Sequence, residues 1–164
     1  MTFGDFDTYI KNLCVLHKKV NHTVKDRHYF DHGLDEILTG LQKEVNYPYI
    51  SREKGDYKYY DNGSDSVFKK REVDLNFIHH ITDTTDFQLK QQKEDELEVI
   101  IDDFLNQMNA DRITRKHSFL KDFNFNSVEV ISIPMTVNSD FGFFVKFEIT
   151  NYHNFNVDLN NWNG

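Results

Sequence analysis

Eight histidines and 27 acidic residues are the side chains in this chain that could do chemistry. His17 and His22 stand five apart, His28 and His32 four apart, and His79 and His80 are adjacent with Asp83 close behind. A spacing of four puts two imidazoles on one helical face, the geometry of a zinc-dependent hydrolase. Such a helix also carries a glutamate directly after its first histidine, and here Tyr29 stands in that place. Neighbours on a strand point to opposite faces, so His79 and His80 cannot share an ion. The histidines are therefore expected to be satisfied in the core or at the surface, with no metal and no other cofactor. Glu94, Asp95, Glu96, Glu98, Asp102 and Asp103 fall on one predicted helix and would pair for acid–base work only if that face lined a cleft. A solvated outer face is the plainer reading. Gly33, Gly40 and Gly55 are isolated and make no phosphate loop, and no nucleophile elbow is present. No catalytic residue is assigned, and an enzyme is not expected.

The chain that must position these groups has 164 residues, enough for one domain with little room for a second. Phenylalanine occurs 15 times and tyrosine 8 times, a content that excludes disorder as the main state. No run of 18 apolar residues is present, so no membrane helix is expected. Residues 1–5 carry neither a basic segment nor a long apolar core, so no secretory signal is expected. A net charge of −8 disfavours sequence-independent binding to a phosphate backbone. The basic clusters Lys18-Lys19, Lys69-Lys70-Arg71 and residues 112–116 read as solvated faces. The single cysteine, Cys14, shares a predicted apolar helix face with Ile10, Leu13 and Val20. It reads as a buried core thiol in a protein made in a reducing cytoplasm. Alanine occurs only at Ala110 and proline only at Pro48 and Pro134, so large side chains must fill the core.

Hydrophobic periodicity gives the elements. Residues 3–22 read as an amphipathic helix, with Phe6, Ile10, Leu13, Cys14, His17 and Val20 on one face and Thr2 or Asp5 as its cap. A shorter helix carries Leu34, Ile37, Leu38, Leu41 and Val45, and Pro48 ends it. Residues 47–51 read as a short strand. Residues 53–66 are polar and contain Asn62-Gly63, a hairpin-turn signal. Residues 73–82 alternate as a half-buried strand, with Val73, Leu75, Phe77, His79 and Ile81 inward. A long helix follows over 87–109, with Leu97, Ile100, Ile101, Phe104, Leu105 and Met108 as its stripe and the 83–86 turn as its cap. Residues 128–137 and 143–150 form a hairpin in which Pro134 marks an edge or a bulge and Gly142 is available to the turn. The fold class is α+β, an antiparallel or mixed sheet packed on an N-terminal helix and a second long helix. Residues 1–150 make the domain, and 151–164 a polar tail or arm.

Aromatic residues that miss the core pattern are the candidate contact sites. Tyr57, Tyr59 and Tyr60 flank the polar turn, and Phe155 and Trp162 lie in the tail. The tyrosines suit a binding surface, because amphipathic rings anchor interfaces, and they suit cross-strand pairs of a hairpin equally well.

A leading helix over residues 6–20, a strand over 73–82, a long helix over 97–108 and a closing hairpin over 128–150 resemble, in order and size, the small neck and tail-completion proteins of tailed bacteriophages, tail terminators among them. The resemblance implies a structural subunit that assembles as a homo-oligomeric ring in the virion. It implies contact with neighbouring neck or tail proteins through a hairpin or loop, and no catalytic residues. Residues 53–67 and 151–164 are then the expected subunit contacts. A small acidic adaptor or inhibitor domain, suited to a basic partner, is the alternative. A histidine–carboxylate metal enzyme is the third reading.

Overall fold

The structure is a computed structural model, and it describes residues 3–31, 33, 37, 45–53, 55–61, 63 and 67–153. Helix α1 spans Phe3–Leu16, and the two-residue strand β1 is Tyr29–Phe30. Strands β2 (Tyr49–Arg52), β3 (Tyr57–Asp61) and β4 (Val67–His80) follow. Helix α2 runs Phe87–Ile113, a 3₁₀ turn covers Ser118–Leu120, and β5 (Phe123–Ile133) and β6 (Asp140–His153) complete the chain order. The architecture is α+β, as the alternation and the helical stripes predict.

One mixed sheet of six strands carries the order β1-β2-β4-β6-β5, and β3 pairs with β4 beside that path. Among the described residues, only β1 with β2 is parallel. The long antiparallel pair of β4 and β6 is the spine, with Val67 opposite His153 at one end and His80 opposite Asp140 at the other. Both helices pack on one face. Phe6 of α1 meets Phe147, and Phe104 of α2 meets Phe77 edge-on at 5.6 Å. Val73, Leu75, Val145 and Ile149 complete that buried layer.

The 27-residue helix α2 starts where its cap predicts, because the Asp86 carboxylate accepts the Leu89 amide. It runs to Ile113 rather than stopping at 109. Helix α1 ends at Leu16, six residues before the expected end at 22 and four before its apolar pattern stops at Val20. Asn21 adopts a left-handed φ of 48°, and the chain folds back so that the His22 amide reaches the Cys14 carbonyl. Val20 is thus buried from a turn, not from a helix. Asp5 lies within the first turn of α1 and is not its cap. Cys14 is fully buried, which pushes its thiol pKa up.

Strand β4 differs from the half-buried strand expected of it. Asn76 and Ile78 are buried as well as Leu75 and Phe77, because a second cluster of Phe30, Ile37, Tyr49 and Ile78 covers the opposite face. Ile81 is buried just beyond the strand end. Strand β5 begins at Phe123, five residues before the expected start, and an irregularity between Asn124 and Glu129 breaks its alternation. It ends before Pro134 and is the sheet's edge, as proline there predicts. Gly142 sits inside β6 rather than in the turn, opposite Ile78, where a Cβ would collide with the Phe77 carbonyl oxygen. Strand β6 carries the sheet through His153, three residues past the expected domain end. Of the helix expected over 34–45 only residues 37 and 45 are described, and Thr2, the 154–164 tail, Phe155 and Trp162 lie outside the described residues.

Candidate functional site

The three candidate tyrosines share strand β3, and their register with β4 fixes where they stand. Tyr57 lies opposite Arg71, Tyr59 opposite Lys69, and Tyr60 opposite Phe68. This half of β4 pairs with the far end of β6, so β3, residues 67–71 and residues 149–153 make a three-stranded arm. Every residue of β3 is exposed. Tyr57, Tyr59 and Tyr60 keep 50%, 44% and 43% of their surface in solvent, far above the rings of the core.

The tyrosines make the contacts that a strand pairing requires. Tyr60 stacks on Phe68 across the strands, with centroids 5.6 Å apart, and Tyr57 meets Tyr59 edge-on at 5.7 Å. Lys69 places its ammonium 3.7 Å from the Tyr57 centroid and 5.1 Å from that of Tyr59. Such contacts hold the rings upright without covering them. Ion pairs line the base of the arm: Lys70 pairs with Glu148 at 2.5 Å, and Lys146 with Glu72 at 3.1 Å, which holds the Glu72 carboxyl below its usual range.

A second concavity lies between α1 and α2, with a volume of about 820 Å³. Its floor is apolar, from Leu13 and Phe104, and its walls carry Tyr9, His17, Asp111 and His117. Asp111 is buried, and both its oxygens are engaged: Tyr9 donates to one at 2.9 Å, and Gln107 to the other at 2.9 Å. Burial and this carboxylate push the Tyr9 phenol well above its ordinary pKa. His17 contacts Asp103 at 3.2 Å. The Tyr9–Asp111 bond ties the two helices together across the groove, and His17, just past α1, adds a contact to α2.

The third cluster sits where β4 finishes and β6 begins. Asp140 is buried and receives the Tyr47 hydroxyl at 2.8 Å and His80 Nδ1 at 3.1 Å, while the Tyr47 ring stacks on His80 at 5.1 Å. The Tyr47 ring also stacks on His79 at 6.2 Å, His79 stacks in turn on Phe141, and its Nδ1 accepts the His80 amide. Burial keeps His79 below its ordinary pKa, hence neutral. His28 Nδ1 is 2.6 Å from the Pro48 carbonyl, and His22 Nδ1 accepts the His28 and Tyr29 amides. Among the described residues, no group of three or more histidine, cysteine or acidic side chains is placed to hold a metal. No helix of the described residues is long and apolar enough to cross a membrane.

Comparison with known proteins returns nothing: no family model, no curated protein and no solved structure matches the chain. The site is thus described by its geometry alone. Sequence reasoning missed Tyr47, Asp111 and Asp140, because an aspartate in a polar turn or on a charged helix carries no mark of burial.

Proposed function

We propose that this protein is a structural subunit that assembles with copies of itself, of the kind that forms the neck or tail ring of a tailed bacteriophage. The observation that carries the reading is the arm. Three tyrosines stand on a strand exposed on both faces, outside the layer that the helices cover. Tyrosine rings with a polar tip and a large apolar body are the residues that anchor protein contacts. An isolated strand of five residues has no core of its own to build. The order of the elements, resembling the phage neck and tail-completion proteins, supports the same reading. On it, the protein resides in the virion and contacts its neighbours in the neck or tail.

Light scattering on the purified full chain, with negative-stain microscopy of the same sample, tests this. A closed ring of several subunits is the expected result. A protomer mass that holds at every accessible concentration, with one captured basic protein, would favour the acidic adaptor instead.

A further inference from the structure

Among the described residues β1, β3 and β5 each pair on one side only, and of these β3 and β5 match each other in polarity and chemistry. Among the described residues, β3 pairs only with β4, and β5 only with β6. Because β3–β4, β4–β6 and β6–β5 are all antiparallel, β3 and β5 run in opposite directions. A neighbour generated by rotation about an axis roughly along the strands therefore brings its β5 beside β3 antiparallel, with the helix-covered face of both sheets on the same side. This is a head-to-tail contact, the kind that closes rings.

The side chains select a register. Tyr57 faces the helix side, because it lies opposite Arg71, which alternates in phase with the buried Val73 and Leu75. Val130 faces the same side, because it lies opposite Val145, itself opposite Leu75. Lys58 and Glu129 face the other side. Placing Tyr57 opposite Val130 of the next copy sets Lys58 opposite that copy's Glu129, an aromatic–β-branched pair next to an opposite-charge pair. Slipping by one residue would turn the faces against each other, and slipping by two would break the charge pair. Beyond its irregularity and Glu129, strand β5 presents a largely apolar edge. Val130 and Ile131 are 48% and 49% exposed, and its 128–133 stretch contains no lysine and no proline. Natural proteins leave such an edge open chiefly where another strand covers it.

Resting on the assembly reading above, we infer that β3 of one copy pairs antiparallel with β5 of the next, so that a single sheet continues from subunit to subunit. The interface is strand addition, with backbone hydrogen bonds supplying affinity and the Lys58–Glu129 pair supplying register.

A charge swap in the full chain tests it. Lys58→Glu and Glu129→Lys should each weaken association at least about tenfold, and the double variant K58E/E129K should restore it, as read by sedimentation velocity. Both positions are exposed, so circular dichroism of each variant should match that of the wild type. Wild-type assembly that neither single variant disturbs, or that the double variant fails to restore, overturns this pairing and leaves the assembly reading standing. A wild-type chain that never associates overturns both. A second measurement fixes the geometry: Y57C/V130C, oxidised, should give a ladder of covalent multimers, because the two positions lie on opposite edges. Dimers from Val130→Cys alone would show a two-fold β5 contact and overturn the inference. Cys14 is buried and stays out of the reaction.

Discussion

Strand β4 passes through two regions built from the same kinds of residue. Over 73–79 it lies beneath Phe104 and the α2 stripe on one face and against Tyr49 and Phe30 on the other. Over 67–70 it is only part-buried and carries the exposed strand β3 at its side. Aromatic rings crowd both regions, but in the first they fill space that alanine cannot, and in the second they stand in solvent. The difference shows that aromatic content alone does not report a core. What decides is whether a second layer lies over the ring.

The largest expected break in this comparison is Phe77→Ala. The ring is 1% exposed and sits edge-on to Phe104, so its loss should cost about 3–5 kcal/mol in denaturant unfolding. Next comes Gly142→Ala. Its Cβ would strike the Phe77 carbonyl, a backbone atom that can move only if the spine opens, so a cost of about 1–3 kcal/mol is expected by the same assay.

A smaller effect follows from pH. The buried His79 has its pKa lowered from the ordinary 6.5, first by desolvation and then by Lys93, and His22 shifts the same way. The folded state therefore binds fewer protons than the unfolded chain, so this stability is present above the unfolded value and is lost as pH falls through the folded one. Unfolding free energy should drop as pH falls below about 6.5, and His79→Gln should flatten part of that slope.

The long helix and the closing hairpin were legible because their signals are local, whereas the pairing of β4 with β6, across 60 residues or more, was not. Asp86 caps α2, and Leu97 to Met108 repeat at helical spacing. The end of α1 was not legible, because Val20 keeps the helical phase while Asn21 turns the chain left-handed. Nor was the second face of β4, since one strand's alternation cannot show that Tyr49 and Phe30 will arrive from elsewhere in the chain. The tyrosines of the arm were legible as misfits, being aromatics in a polar stretch. Their strand was legible only as one of two options. Asp111 and Asp140 were invisible because their burial depends on tyrosines 102 and 93 residues away.

The smallest effect on stability is the one that bears on the proposed assembly. Tyr57, Tyr59 and Tyr60 lie outside the core, so replacing each by serine should change unfolding free energy by no more than about 0.5 kcal/mol. The decisive measurement is the solution mass of the triple variant Y57S/Y59S/Y60S beside that of the wild type, with melting followed on both. The account predicts a wild-type multimer, and a variant that sediments as the protomer while its fold survives. A variant that assembles as fully as the wild type would contradict the claim that the arm is the assembly surface.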